Sequence, residues 1–191
     1  MKTKSIMKKL LLFTVVALLG LTATNAQVKL GFGVGYAIPS GDIADITDGG
    51  FSGHLELGYG ITEDIDVSVF VHGDFLTGAD KGLLSYDTVA FGSYMVNGRY
   101  YFKKEGFRPY GSLAIGITDI AQIEAATNGT RVAAAARTSN FSFRPALGFK
   151  YGILNVNASY LNAGEIGEGD GKATVSDFAF NVGLLFTFGG K

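Results

Sequence analysis

The chain has 191 residues, with 16 Lys and Arg against 17 Asp and Glu, no Cys, no Trp, 28 Gly, 15 Phe and 9 Tyr. Without Cys there is no disulfide framework and no thiolate metal site. The charge balance, with no dense cluster of Lys and Arg, argues against a nucleic-acid partner.

Residues 1–26 read as a secretory signal peptide. Lys2, Lys4, Lys8 and Lys9 make a cationic start, residues 10–21 an apolar core, and Thr24 and Ala26 stand at the positions a signal peptidase reads. The apolar run is shorter than the ~20 residues of a spanning helix. Removing the leader leaves 12 basic and 17 acidic residues, a formal charge of −5. One domain is expected over 27–191.

From Gln27 onward, eight runs alternate with a period of two, so each puts an apolar row on one face and a small or polar row on the other. The first sets Val28, Leu30, Phe32, Val34 and Tyr36 against Lys29, Gly31, Gly33 and Gly35. A loop is expected over 39–50. The second sets Phe51, Leu55, Leu57 and Tyr59 against Ser52, His54, Glu56 and Gly58. A tight turn at Thr62-Glu63-Asp64 leads to the third, with Ile65, Val67, Val69 and Val71 against Asp66, Ser68, Phe70 and His72. A second loop is expected over 77–86. The fourth sets Ala90, Tyr94, Val96, Tyr100 and Phe102 against Phe91, Ser93, Met95, Asn97, Arg99 and Tyr101.

A short turn over 103–106 precedes the fifth run, with Leu113, Ile115 and Ile117 against Tyr110, Ser112, Ala114 and Gly116. The third long connection covers 119–138. Its Asn128-Gly129 pair is a two-residue hairpin signal, so strands five and six are expected to continue as a projecting hairpin. The rival is a short helix over the Ala-rich 132–137. The sixth run sets Phe141, Phe143, Leu147 and Phe149 against Ser142, Arg144, Gly148 and Lys150. After a turn over 151–153, the seventh sets Leu154, Val156, Ala158 and Tyr160 against Asn155, Asn157 and Ser159. A fourth loop is expected over 163–174. The last run sets Phe178, Phe180, Val182, Leu184, Phe186 and Phe188 against Asp177, Ala179, Asn181, Gly183, Leu185 and Thr187.

The bulky row is expected outside. A narrow eight-stranded lumen admits only modest side chains, and the opposite row is rich in Gly, Ala and Ser. The charges within strands, Lys29, Glu56, Asp66, Arg99, Arg144 and Lys150, share that small-residue row with His54 and His72. Aromatic residues gather near strand ends, as interfacial girdles do. The fold expected is all-β: an eight-stranded antiparallel up-and-down transmembrane β-barrel after a cleaved signal peptide. Short turns would face the periplasm, with both termini, and long loops the exterior.

Gln27-Val28-Lys29-Leu30-Gly31-Phe32-Gly33-Val34-Gly35-Tyr36 at the mature start, with Val182-Gly183-Leu184-Leu185-Phe186-Thr187-Phe188-Gly189 at the end, resembles the outer-membrane β-barrel domain family. These are the small OmpX/OmpA-like, porin-family barrels of Gram-negative bacteria. The resemblance covers essentially all of 27–191 and is one of pattern and length. It implies a cell-envelope protein with outer-membrane lipid as solvent and the barrel-assembly machinery as a partner during insertion. It also leaves room for a surface ligand on the long loops.

Ser52, His54 and Glu56 occupy alternate positions, about 7 Å apart, and offer a nucleophile, a base and an acid in kind. A hairpin centred on Glu63 would set His54 opposite His72 and Ser52 opposite Asp74, so His54, His72 and Asp74 are candidate metal ligands. The plainer reading is preferred. Lys29, His54, Glu56, Asp66, His72, Arg99, Arg144 and Lys150 form a hydrogen-bonded lumen network, with no catalysis, cofactor or metal. Outer-membrane lipid A deacylases, as a family, turn Ser and His toward lipid, the opposite direction. Asp42, Asp45, Asp48, Asp80 and Asp87 match no calcium-loop spacing and read as a solvated acidic rim. The expected role is envelope-structural or surface contact, with a narrow OmpW-like solute channel as the alternative.

Overall fold

The computed structural model describes residues 27–81, 84–127, 130–167 and 172–189; the leader expected at 1–26 lies outside the described residues. β1 (Gln27–Ser40), β2 (Thr47–Gly60) and β3 (Ile65–Gly78) begin a barrel. β4 (Asp80–Lys81) and β5 (Leu84–Tyr86) leave it. β6 (Val89–Tyr101) and β7 (Phe107–Ile120) return. β8 (Ile123–Thr127) and β9 (Thr130–Ala135) leave again, and β10 (Thr138–Tyr151), β11 (Leu154–Ile166) and β12 (Ala173–Phe188) complete the wall. The eight long strands pair antiparallel in chain order, and β12 closes on β1 from Val28↔Phe188 to Ser40↔Ser176.

The inside-out alternation holds along each wall strand. On β3, Asp66, Ser68, Phe70, His72 and Asp74 are buried, while Val67, Val69, Val71 and Phe75 face outward. Leu147 is 69% exposed and Phe141 71%, whereas Lys29 is 1% exposed. The outward aromatics make two rings. Tyr160–Phe178 and Phe51–Phe75 touch at one level, and Tyr100–Phe102, Phe107–Phe149 and Phe186–Phe188 at the other. Between the rings, Val28 to Tyr36 and Phe178 to Phe188 have about the 9–11 residues a tilted strand needs to cross a bilayer.

Beyond the upper ring the polarity reverses. Ile43, Leu76, Val89, Ile120, Leu161 and Val175 are all buried and cluster inside the barrel. Thr77, Asp80 and Ser139 face outward there. This upper part has the apolar interior of a water-soluble domain. It also explains why the expected loops are mostly strand. The connection at 39–50 contracts to the 3₁₀ turn Gly41–Asp45 and Ile46, and that at 163–174 contracts to 167–172.

The connections at 77–86 and 119–138 are corrected in a different way. Residues 132–135 are extended, not helical. The hairpin flanking Asn128-Gly129 does form, with Thr127↔Thr130 as its last pair, but it is a separate element rather than a continuation of the wall. The wall strands stop at Ile120 and resume at Thr138, and β8 pairs with β5 instead. The result is a second sheet, ordered β4-β5-β8-β9, standing at the barrel's upper end.

The three short turns lie where expected. In the first, the Thr62 hydroxyl accepts from the amides of Asp64 (3.2 Å) and Ile65 (3.0 Å). Gly152, with φ +59, turns β10 into β11 in two residues.

Gly33 shows why the inner row of β1 is glycine. A Cβ there would stand 2.5 Å from His54 Cε1 and 3.2 Å from the Val182 carbonyl. Gly33→Ala should therefore destabilise the barrel by ~1–3 kcal/mol through overpacking. Outward-facing Gly98, with nothing within 4 Å of its Cβ position, should accept Ala with a change within ~0.5 kcal/mol. Denaturant unfolding of the refolded protein in detergent micelles, followed by circular dichroism, compares the two.

Candidate functional site: the barrel lumen

Three layers of inward side chains fill the lumen. The first lies toward the short turns. Arg99 donates to Glu56 Oε2 at 2.7 Å, and its other terminal nitrogen lies 3.8 Å from Asp66. Lys29 pairs with Asp66. Both pairs reach over an intervening strand: β1 to β3 across β2, and β2 to β6 across β3. Tyr101 and Tyr110 wall this layer. The Arg99 guanidinium is 4.7 Å from the Tyr110 ring centroid, and Tyr110 donates to Asn155 Oδ1 at 2.8 Å.

The middle layer is a stack. His54 lies on Phe70 at 5.1 Å and Phe70 on His72 at 5.9 Å, with Arg144 over Phe70 at 4.9 Å. A guanidinium on an aromatic face retains favourable electrostatics without a carboxylate. Arg144 also donates to Asn157 at 3.4 Å.

The third layer is hydroxylic and acidic. Ser93, Thr118 and Ser142 form a chain with both links at 2.8 Å. Ser52 Oγ is 3.1 Å from His72 Nε2, and His72 Nδ1 is 3.2 Å from Asp74 Oδ2. Asp177 is buried on β12.

The expected register is observed: His54 is opposite His72 and Ser52 opposite Asp74. The three chemical types of a nucleophilic relay do meet, but as Ser52–His72–Asp74. His54 stacks on Phe70 and Glu56 pairs with Arg99, so the row Ser52-His54-Glu56 does not act as a unit. A relay also needs an electrophile within reach of Oγ. Ser52 is completely buried under the apolar upper cluster. No group of three or more His, Asp or Glu converges as a cation site among the described residues.

Of the eight residues expected to line the lumen, Lys29, His54, Glu56, Asp66, His72, Arg99 and Arg144 are buried there. Lys150 is half-buried, at the short-turn mouth. Sequence reading missed Arg108, its neighbour at that mouth, because the fifth run was read only from Tyr110. The apolar–basic alternation of Phe107 and Arg108 was the available signal, interrupted by Pro109. Outside the wall, an apolar groove of about 430 Å³ runs beside Pro145, Leu147, Tyr160 and Phe178. The β10–β11 ladder there passes from Phe143↔Asn162 to Ala146↔Ser159, and Pro145 has no N–H to contribute.

This geometry has solved counterparts. The attachment invasion locus protein Ail of Yersinia pestis superposes with a TM-score of 0.59 at 14% identity, over 85% of this chain and 99% of Ail. The chain has the fold of Ail. Neisserial surface protein A shares it, with a TM-score of 0.53 at 14% identity over 85% of this chain and 97% of that one. Both are eight-stranded outer-membrane barrels, so the resemblance carried by the first and last strands is met at the level of fold. A second Ail structure, in complex with the heparin analogue sucrose octasulfate, matches with a TM-score of 0.53. Neither a family model nor a curated sequence matches this chain.

The pairing predicts an asymmetric mutational response. Arg99→Ala should cost ~3–5 kcal/mol, because it leaves the buried Glu56 carboxylate without its guanidinium partner. Combining Arg99→Met with Glu56→Gln should recover most of that loss. Chemical unfolding of the two variants in one detergent reads the difference.

Proposed function

We propose that the chain is an integral outer-membrane barrel of a Gram-negative envelope, non-enzymatic, that contributes to envelope structure and presents its upper sheet for surface contact. A leader over residues 1–26 would export it, leaving 27–191 as the membrane domain. The short turns and both termini would then lie in the periplasm. The carrying observation is the reversal of polarity along one continuous wall. Between the aromatic rings the outside is apolar and the inside charged; above them the inside is apolar. A wall solvated by lipid below and by water above has this pattern, because every strand must match its solvent. Outer-membrane lipid is accordingly a partner along the whole lower belt, and the barrel-assembly machinery acts at insertion.

A channel role finds little support. Three layers of inward side chains occupy the lumen, and the Ile43–Leu76–Val89–Ile120 cluster is buried above them. The segments 41–48, 79–88, 119–138 and 163–174 hold ten acidic and four basic residues. That balance favours a neutral or cationic surface ligand over a polyanion of the kind seen with Ail.

Three measurements test this reading. The protein should partition with the outer-membrane fraction and run faster on a gel unboiled than boiled. Recovery in the soluble fraction with no mobility shift would remove the membrane assignment. In planar bilayers it should give small or no conductance, whereas a large stable conductance would restore the channel reading. Esterase and lipid A modifying activities should stay at background in the wild type and in His72→Ala alike.

A further inference from the structure

The short-turn mouth of the lumen carries more positive charge than its own carboxylates neutralise. Deeper in, Arg99 is matched by Glu56 and Lys29 by Asp66. Nearer the opening, Arg108 on β7 and Lys150 on β10 are direct cross-strand partners. Both lie two residues from inward positions, Tyr110 and Gly148, so both turn toward the lumen. Like charges directly opposite each other in an antiparallel pair are destabilising.

Neither cation has a carboxylate partner among the described residues. Arg108 donates through Nε to the Lys103 carbonyl at 3.0 Å and through a terminal nitrogen to the Glu63 carbonyl. Lys150 donates to the Gly152 carbonyl. The Glu63 carboxylate is engaged by Lys104 at 2.7 Å, a bond that holds its pKa below the usual range, and it reaches Arg108 only at longer range. Lys29 and Arg99 act on Lys150 as well, and Asp66 is the carboxylate that offsets them.

The Arg108 guanidinium carbon stands over Tyr101, 3.9 Å from the ring centroid. Among the described residues, three of its five N–H donors and two of the three on Lys150 meet no acceptor. The adjoining cross-strand pair, Tyr151↔Phe107, points outward in the lower aromatic ring. The two cations therefore sit at the depth where headgroups meet the barrel.

We propose that Arg108 and Lys150 together bind a phosphate-class oxyanion at the short-turn mouth of the barrel. A tetrahedral oxyanion of charge up to −2 neutralises both cations and accepts from both donor sets, which one monodentate carbonyl contact each does not. The source is either free phosphate or the phosphodiester of a lipid at the rim.

The test uses the refolded mature protein in a zwitterionic detergent. Inorganic phosphate is titrated against chloride at equal ionic strength, and the thermal unfolding midpoint is followed by gel mobility. In a parallel arm, native mass spectrometry reads retention of phosphatidylglycerol. Lys150→Gln is the deciding variant, since its side chain is only part-buried and stacks on no ring among the described residues. Arg108→Gln is the second, with Arg108→Lys as the charge-preserving control.

A midpoint that rises with phosphate but not with chloride, with affinity falling about tenfold or more in Lys150→Gln, supports the site with a free anion. No phosphate effect, but phosphatidylglycerol retained by the wild type and lost from Lys150→Gln, supports it with a lipid source. Without either ligand, Lys150→Gln should unfold no earlier than the wild type, because it relieves a repulsion. A variant that unfolds earlier in ligand-free buffer overturns the proposal, since Lys150 would then be an ordinary stabilising contact. So does a wild type that distinguishes neither phosphate from chloride nor phosphatidylglycerol from the detergent.

Discussion

Everything in this molecule depends on closing the sheet. A wall of eight strands whose outer face is apolar offers no partner for an open edge, and each orphaned N–H or C=O left there without water would cost several kcal/mol. The β1–β12 ladder removes that edge by joining the two ends of the domain over thirteen residues of β1. Closure with only eight strands makes the interior narrow. The narrowness then dictates the inner row of β1: Gly31, Gly33 and Gly35 leave the space that Leu185, His54 and Asn181 occupy. The most distant contacts in sequence thus govern which residues are tolerated in the first ten.

The same narrowness solves the problem of buried charge. Lys29, Asp66, Arg99 and Glu56 would be prohibitively costly inside an apolar core if left unpaired. A tightly curved wall brings second-neighbour strands within bonding distance, so that β1 reaches β3 and β2 reaches β6. Charges that cannot find a carboxylate use rings instead, as Arg144 does on Phe70 and Arg108 on Tyr101. Arg99 and Lys29 lie toward the short turns with their carboxylate partners Glu56 and Asp66, Arg108 and Lys150 lie at the mouth beyond them, and Asp74 and Asp177 are buried on β3 and β12.

The upper third obeys the opposite rule. Once the strands pass the upper aromatic ring, the apolar residues move inside. Leu76, Ile120 and Leu161 become the floor beneath the β4-β5-β8-β9 sheet. One chain therefore carries two hydrophobic codes, and on the proposed membrane reading the boundary between them falls at the membrane surface. Leu76 of that cluster follows Asp74 by two residues on the inner row of β3, next to the buried Ser52–His72–Asp74 set.

Alternation alone determined the eight strands, their order, the apolar face that turns outward and the three tight turns, because a period of two survives without any knowledge of partners. The row Asp66, Ser68, Phe70 and His72 against Val67, Val69 and Val71 needs no tertiary contact to be read. Turn position even set the register that places His54 opposite His72. Partners across the lumen were not legible, since Lys29–Asp66 and Glu56–Arg99 depend on the curvature of the closed wall. The upper strands were hidden for a different reason: where the polarity reverses, a membrane pattern and a soluble pattern meet within one strand and read as loop. Arg108 stayed out of sight because its significance lies in Lys150 across the ladder, 42 positions along the chain, and only the tertiary structure brings two cations together at one mouth.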